Sequence, residues 1–484
     1  MEVCFEKMQL PYLRQVLSQT KEQELTQEVK LPEHLSDVRN ILGAWGQILI
    51  RSKEWRSDSI VVNGGVLCWV MYAPEGEDMP RAVDTWLPFQ MQLDMPESTE
   101  DGQISADGVL KLVDARVTGA GKIMVRACVN LQVKANVPAV AQLYKPPVLD
   151  TDIQLLQRDV VMQLPCEAGE KPFTMDEEFS LDGEPAEALL YYTLNPVIRE
   201  QKVMAGKLVF RGAALIHGLY QSQSGLQSFT MDIPFAQYVQ LNMDYDPDAV
   251  AWVRPAVTGL EMELTGDNRV HMKAGIVGQY VIFENKHIPL VEDAYSTERT
   301  LEMQFQELTL PNLVKEQKQA VFADFSSLHD GVWIDGMFYA DHPQIQKNPE
   351  GTEAELRGRY QLLYADENGQ IQGRIGKWEH KNDISDAAPT DMRLYAMGAS
   401  QPSGTELEWE LMTLDEKPIR IVTAFHLMEP EKAYAERPSL IVRRKGQDSL
   451  WEIAKAVGST VEKIQQANGL EGEPAADKML LIPT

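Results

Sequence analysis

The sequence predicts a mainly β multidomain protein, in which tandem β-rich domains are followed by a small βααβ domain. The chain has 484 residues, of which 44% are apolar, so three or four domains can each bury a core. Long stretches alternate between apolar and polar residues with period two, which is the pattern of strands with one buried face. The last segment, residues 437–484, instead holds two short helical patterns between two strand patterns.

The first element is predicted to be an N-terminal helical segment at residues 1–20. This region, MEVCFEKMQLPYLRQVL, carries Glu2 and Glu6 and no uninterrupted apolar stretch, so we expect no secretory signal. We also expect no transmembrane segment, because the chain has no run of about 18 apolar residues. The cysteines lack CxxC spacing, which favours reduced thiols in a cytosolic compartment. They are Cys4, Cys68, Cys128 and Cys166.

An internal repeat follows this segment. Three pairs of segments recur in the same order, at offsets of 146 to 148 residues. The pairs are VVNGGVLCWVMY (61–72) with VFRGAALIHGLY (209–220), WLPF (86–89) with DIPF (232–235), and TGAGKIMVRA (118–127) with TGDNRVHMKA (265–274). Such a repeat predicts two tandem domains of one fold. A shorter match, LRGRYQLLY (356–364), predicts a degenerate third copy.

The repeat unit is predicted to be β. In KIMVRACVNLQVKA (122–135), every second residue from Ile123 to Val133 is apolar and most of the intervening residues are polar, as expected for a half-buried strand. Turn sequences such as NGG and TGAG separate these stretches. We therefore predict a first β domain at 21–145, a second at 172–290 and a degenerate third at 311–430.

Charge distinguishes the terminal module from the rest of the chain. The net charge of the whole chain is −27, which argues against nucleic acid or an anionic membrane as the main partner. Residues 437–484 carry seven Lys or Arg and six Asp or Glu, a net charge of +1, so the preceding residues carry −28. This difference predicts a separate module with a partner of its own.

The terminal module has the pattern of two strands enclosing two helices. SLIVRR (439–444) and MLLIP (479–483) are predicted strands. The intervening helices each begin with a predicted capping box, Ser449 with Glu452 and Ser459 with Glu462. In the first helix, Leu450, Ile453, Ala454 and Val457 form one apolar face, because they lie three or four residues apart.

This module resembles the LysM family. The resemblance rests on GQDSLWEIA (446–454), on ANGL (467–470) and on the terminal IP. It implies a βααβ fold and the binding of N-acetyl glycans. Gln447 splits the usual Gly-Asp pair, and ADK (476–478) replaces the glycine before the last strand. Both changes lie near the loops that form the sugar groove in relatives, so the resemblance implies a retained fold with weakened glycan binding.

Five residues of the module are candidate contacts to a protein partner. They are Asp448, Leu450, Trp451, Ile453 and Asn468. For Leu450 and Ile453 the alternative is a place in the core. Trp451 lies off their face, so it is either an exposed aromatic anchor for a partner or packed on the first strand.

The first β domain resembles the SPOCS family (DUF3794). The residues that carry the resemblance are EVKLPEHLSDVRNIL (28–42), IVVNGGVLCWVMY (60–72), WLPFQMQLDMP (86–96) and TGAGKIMVRACVNL (118–131). The resemblance covers about residues 25–136 and, by the repeat, 172–285. SPOCS domains occur in coat-assembly proteins of endospore-forming bacteria.

SPOCS-like units followed by LysM are similar to the arrangement of the SipL/SpoVID family of spore coat morphogenetic proteins. The resemblance implies a non-enzymatic scaffold in the mother-cell cytoplasm, at the outer surface of the forespore. There the LysM module would engage the coat-basement ATPase SpoIVA, and the chain would meet other coat proteins. The alternatives are a peptidoglycan-binding LysM protein and a component of a phage tail or baseplate.

The sequence predicts no enzyme, cofactor or metal site. The eight histidines have no metal-ligand spacing. DYDPD (244–248) suggests calcium, but Ala249 and Pro255 stand where a calcium-binding EF-hand loop needs Gly and Glu, so we predict a turn. HDGVWIDG (329–336) has no accompanying nucleophile and is also predicted to be a turn. No phosphate-binding glycine motif opens a helix.

Overall fold

The computed structural model describes residues 2–32, 36–77, 79–97, 101–146, 152–266, 268–328, 331–348, 351–384, 389–428 and 438–484. The predicted fold class is confirmed. In these ranges the body of the chain is built from antiparallel strands, and the two helices both lie in the terminal module. No helix in these ranges is long and apolar enough to cross a membrane.

The strands are β1 (Glu2–Cys4), β2 (Glu6–Lys30), β3 (Val38–Arg56), β4 (Ser59–Pro74), β5 (Arg81–Asp94), β6 (Gln103–Gly119), β7 (Lys122–Lys145), β8 (Ile153–Ser180), β9 (Ala188–Met204), β10 (Lys207–Ser222), β11 (Gly225–Gln240), β12 (Val250–Gly266), β13 (Arg269–Ser296), β14 (Leu301–Leu308), β15 (Asn312–Asp324), β16 (Val332–Ala340), β17 (Gln344–Asn348), β18 (Gly351–Ala365), β19 (Ile371–Ile384), β20 (Asp391–Ala396), β21 (Gly404–Asp415), β22 (Ile419–Leu427), β23 (Leu440–Arg444) and β24 (Met479–Pro483). The helices are α1 (Leu450–Val457) and α2 (Val461–Asn468).

Three units of the body share one strand order. The first unit, β2 to β7, forms the sheets β2-β7-β6 and β3-β4-β5. The second unit, β8 to β13, forms β8-β13-β12 and β9-β10-β11 in the same order. In the third unit, β15 to β21, the sheets are β15-β21-β20 and β16-β18-β19, and β17 continues the line of β16 along β18. Each of the first two units is therefore a pair of three-stranded sheets, and the third differs in that β16 and β17 together take the place of one strand.

The prediction of a helical segment at residues 1–20 is wrong. Residues 6–30 form β2, which pairs with β7 over nearly its whole length. A register shift between Gln15 and Leu17 turns both Val16 and Leu17 toward one core cluster, whereas Leu10 is buried in another, so β2 shows no simple period-two pattern. Strand pairing wins because a helix here would leave a long edge of β7 unpaired. The predicted domain edges at 21, 172 and 290 lie inside strands.

A glycine opposite a phenylalanine marks the equivalent central strands of the first two units. Gly64 in β4 pairs with Phe89 in β5, and Gly212 in β10 pairs with Phe235 in β11. A Cβ atom on either glycine would collide with the ring of its phenylalanine and with a carbonyl oxygen of the preceding strand. The ring covers the glycine, as aromatic residues do in other sheets. This packing explains two of the three repeated motifs.

The three units meet at an axial cluster, which we define as Asp107, Arg254 and Arg393. These residues occupy equivalent positions on β6, β12 and β20, since they pair with Gln132, Gln279 and Glu410 of the last strand in each unit. Asp107 Oδ2 lies 3.7 Å from Arg254 Nη1 and 3.6 Å from Arg393 Nε. Each side chain is at most 12% exposed. One carboxylate thus lies between two buried guanidinium groups.

A second carboxylate extends the axial cluster. Asp391 Oδ2 lies 2.9 Å from Arg254 Nη2, and its Oδ1 lies 2.5 Å from Lys134 Nζ. Burial alone would raise the pKa of Asp107, but the surrounding cations, with Arg393 first, outweigh burial and lower that pKa. These groups come from all three units, so the buried charges of each unit are neutralised by opposite charges from the others.

Strand β3 also joins the units. Trp45 stacks on Tyr191 of the second unit, with ring centroids 4.6 Å apart. The next backbone N–H, of Gly46, donates to the Tyr339 hydroxyl of the third unit at 3.1 Å. Gln47 Oε1 accepts from the Leu194 backbone N–H at 2.9 Å. Three consecutive residues of the first unit therefore contact both of the other units.

We predict that Gly212→Ala destabilises the second unit by about 1–3 kcal/mol, because the added methyl group overpacks a filled sheet. Calorimetry of thermal unfolding measures the loss. Gly259→Ala is the matched control, since a Cβ there meets no atom within 4 Å. Equal unfolding temperatures for the two variants would contradict the packing described.

We predict that Asp107→Ala destabilises the body by about 3–5 kcal/mol, because it leaves two buried guanidinium groups without their shared carboxylate. Urea unfolding followed by circular dichroism measures the change. Asp94→Ala removes an exposed carboxylate of the same unit and should change the unfolding midpoint little. An Asp107→Ala variant as stable as the control would show that the axial cluster contributes no stability.

Candidate functional site

The terminal module is built as the sequence predicts, with β23 and β24 paired antiparallel and the two helices between them in the chain. The capping box of α1 is confirmed, because Ser449 accepts from the Glu452 backbone N–H and donates its own N–H to the Glu452 carboxylate at 2.7 Å. The second predicted capping box is wrong. Thr460 caps α2, while the Ser459 hydroxyl donates to the Pro483 carbonyl and fastens β24.

Leu450 and Ile453 lie in the core of the module. They are 1% and 0% exposed and pack with Ala454, Ile464 and Ile482. The structure thus gives these two candidate contact residues the core position that the sequence left as their alternative. No partner reaches either side chain in this conformation.

Asn468 ties the end of α2 to β24. Its Nδ2 donates to the carbonyls of Ile464 and Leu481, at 2.8 and 2.6 Å, and its Oδ1 accepts from the Leu481 backbone N–H at 2.8 Å. Three hydrogen bonds therefore occupy this side-chain amide. Its partner-binding role stays a prediction, whereas its structural role follows from the geometry.

Asp448 lies in the loop before α1, and Glu473 bridges that loop to the one before β24. Asp448 forms an ion pair with Arg443 at 2.5 Å, and its side chain is 48% exposed. Glu473 accepts from the Leu450 backbone N–H at 2.7 Å and lies 3.4 Å from Lys445 Nζ. Glu473 therefore holds together the two loops that, by the LysM resemblance, would border a sugar groove.

Trp451 lies against the body of the chain. Its Nε1 donates to Asp293 at 2.8 Å, and its ring meets Tyr295 edge-on at 4.8 Å. Lys455, one turn further along α1, approaches both oxygens of Asp293, at 2.6 and 2.8 Å. The Tyr295 hydroxyl donates to the Ser459 carbonyl at 2.9 Å. We call these five residues the module–body contact.

The module–body contact combines an ion pair with buried aromatic packing. Burial, with the nearby Asp293 carboxylate, raises the pKa of Tyr295 to about 12, so this hydroxyl remains a donor at neutral pH.

Neither alternative predicted for Trp451, packing on the first strand or anchoring a separate partner, includes the contact with Asp293 and Tyr295. The sequence did not predict the roles of Asp293 and Tyr295, because both lie in β13, far from the terminal module in the sequence.

The outer sheet face of the module carries exposed apolar side chains. We define it as Leu440 and Val442 of β23 with Met479 and Leu481 of β24, whose side chains are between 42% and 58% exposed. Val442 pairs directly with Leu481, so the four residues share one face. The strand MLLIP, apolar on both faces, was the sequence signal for this surface.

The predicted turn at DYDPD has a structural role, whereas the prediction of a turn for HDGVWIDG is wrong from Val332 onward, because these residues begin β16 (Val332–Ala340). In DYDPD, the Tyr245 hydroxyl donates to buried Glu167 at 3.0 Å, and Asp248 accepts from Asn285 at 2.6 Å. In the described ranges, no group of three or more His, Cys, Asp or Glu could hold a metal ion. His329 and Asp330 of HDGVWIDG lie outside these ranges.

Asp335, from the same HDGVWIDG segment, joins the second and third units. It lies 3.0 Å from His217 Nε2 and accepts from the Tyr191 hydroxyl. Burial lowers the pKa of His217, but the charge of Asp335 and its hydrogen bond to the ring together raise it by more, so the net pKa is raised. The imidazole is therefore held toward its charged form inside the interface.

Comparison with known families now adds to this geometry. A family model described as the SPOCS domain of SipL matches residues 185–265, and a LysM-domain model matches residues 445–483. The chain therefore contains one segment that is similar to the SPOCS domain of SipL and one that is similar to a LysM domain. The SPOCS match runs from just before β9 to the end of β12, within the second unit. No curated protein and no solved structure matches the chain.

The two domains limit the class of function. Both belong to families of non-catalytic binding domains, and the SipL family connects the SPOCS domain to sporulation and the coat scaffold. A LysM domain suggests glycan binding. Together, the SPOCS and LysM domains indicate a protein of the spore coat or of peptidoglycan.

We predict that a carbodiimide, a zero-length reagent, joins Lys455 to Asp293, because the ammonium and carboxylate groups already touch. Mass spectrometry of the tryptic peptides detects the bond. Lys122 and Glu28, which lie 2.8 Å apart within the first unit, provide the matched positive control, and Lys455→Arg should abolish only the first product. Coupling of the control pair without coupling of Lys455 would contradict the module–body contact.

Proposed function

We propose that the chain is a non-enzymatic scaffold of the spore coat, whose LysM domain docks to a SpoIVA-like coat-basement ATPase. It acts in the mother-cell cytoplasm, at the outer surface of the forespore, and helps to localise other coat proteins there. The observation that carries the proposal is the presence of a SipL-type SPOCS domain and a LysM domain in one chain. Several binding domains on one chain raise the local concentration of their partners without chemistry.

The geometry of the LysM domain supports a protein partner. Glu473 bridges the two loops of the module, whereas the outer sheet face leaves four apolar side chains exposed. Clustered exposed apolar side chains of this kind are typical of interaction sites. Arg444, 70% exposed beside this face, adds a charged rim. The proposed docking surface is therefore the outer sheet face, with Asp448 at the neighbouring loop.

Binding to peptidoglycan is the second candidate, because the LysM match itself favours it. It requires the groove between the two loops, and Glu473 would have to release Leu450 for a sugar to enter. The two candidates thus use different surfaces of the module. Sedimentation with insoluble cell wall measures the second one directly.

We predict that Val442→Ser with Leu481→Ser weakens capture of a purified SpoIVA-like ATPase by the full-length chain at least about tenfold. The double variant removes two apolar side chains whose burial on docking would stabilise the complex. A tenfold loss of affinity corresponds to about 1.4 kcal/mol of binding free energy. Pulldown at several protein concentrations gives the change in affinity.

The matched control for this pulldown is Ala467→Ser, a similar exposed substitution on α2. Trp451→Ala tests the exposed face of α1. We expect it to leave capture of the ATPase unchanged, because Trp451 contacts the body of the chain and is not available to a separate partner. Capture lost with Trp451→Ala but kept with the double variant would move the docking surface to α1. Binding to cell wall without any capture would favour the peptidoglycan function.

A further inference from the structure

The hairpin that joins the fifth and sixth strands is shorter in the third unit. Gln132 follows Asp107 by 25 residues, and Gln279 follows Arg254 by 25. Glu410 follows Arg393 by only 17. Since these pairs are equivalent ladder positions, the third hairpin lacks about four residues in each strand, or about 13 Å of its length.

In the first two units, the far half of this hairpin fills the core with aliphatic side chains. Leu110 and Val113 of β6 lie on Gly46 of β3 and are 5% and 1% exposed. Their equivalents in the second unit, Val257 and Leu260, are 6% and 4% exposed. These four residues cover the second strand of their own unit.

Alanines take these places in the third unit. Ala396 pairs with Leu407 just as Leu110 pairs with Val129 and Val257 with Ile276. The ladder ends at Ala396, and the chain turns back to β21 through a short loop that contains Ala399. The third unit therefore lacks both the large side chains and the strand length with which the other units close this space.

A cleft of about 750 Å³ lies at this point. Ala396 and Ala399 line it, together with the aromatic side chains of Phe322, Phe338 and Tyr395. Phe322 is 51% exposed although it is large and apolar. The size is that of a ligand-binding cleft, and its walls combine these apolar side chains with charged ones such as Arg393 and Glu406.

Strand β11 of the second unit forms another wall of the cleft. Ser228, Thr230 and Met231 of β11 line it, and β11 is an edge strand, which pairs only with β10 in the part of the chain that the structure describes. Backbone N–H and C=O groups at such an edge can pair with one more strand. The cleft thus offers an edge for backbone pairing beside pockets for side chains.

We propose that this cleft binds an extended peptide segment of a partner protein. The segment adds as a strand beside β11 and places aliphatic side chains, at alternating positions, against Ala396 and Ala399. A peptide strand is the occupant because extended chain, the far half of β6 and of β12, fills the corresponding space in the first two units. Those strands pair within their own sheets, whereas here the free edge is that of β11. The site is separate from the LysM domain, so its failure would leave the proposed docking of that domain intact.

The test uses random twelve-residue peptides displayed on phage and selected on the intact full-length chain. Selected peptides are synthesised with a fluorophore, and their affinities are measured by polarisation. We expect peptides with alternating aliphatic residues. Ala396→Leu, which restores the side chain of the first unit, should weaken their binding at least about tenfold, and Phe322→Ala should weaken it as well.

Ala467→Leu is the matched control, because it makes the same change at an exposed position of α2, and binding should be unchanged. If circular dichroism shows that Ala396→Leu is unfolded, the binding of Phe322→Ala becomes the test of the cleft. This variant should stay folded, because the Phe322 side chain is half-exposed and lies outside the core. Failure to enrich any peptide, or equal binding to the folded cleft variants and the control, would overturn the proposal.

Discussion

The axial cluster is the constraint on which the body depends. When three copies of one fold surround an axis, an equivalent position of each copy meets the other two. Three identical charges at such a point would repel one another at a few ångströms, in a site that water does not screen. Here the repeat has diverged to Asp107, Arg254 and Arg393, so one carboxylate separates two cations. Because the three residues differ, the units are not interchangeable at this point.

The sequence predicted the parts of the fold that local patterns determine. Period-two alternation located β7, and the Gly64 and Gly212 motifs located the central strands. The prediction for β2 was wrong, because this strand buries apolar residues in two different clusters and has a register shift at Gln15, so it lacks a simple period-two pattern. The strand order of the third unit could not be predicted from the sequence. Its fifth and sixth strands are short, and they lack the repeated Thr-Gly motif that marks the other two hairpins.

The candidate site was predictable to the same extent. Helical spacing correctly predicted that Trp451 lies off the face formed by Leu450 and Ile453. Spacing within α1 does not show which part of the chain packs against Trp451. Asp293 is 158 residues away from Trp451, and no local pattern connects the two. Asn468 was likewise predicted as a partner contact, whereas its amide forms hydrogen bonds to β24.

The short strand β1 has a consequence for how the chain is made. Residues 2–4 pair with residues 424–426 of β22, and β14 pairs on the other side of β22. This sheet cannot form until more than 420 residues have left the ribosome. Pairing between segments so distant in sequence is a contact of high contact order, which slows the formation of this sheet. During synthesis β1 therefore stays unpaired until β22 has been made, and the order of translation determines when this sheet forms.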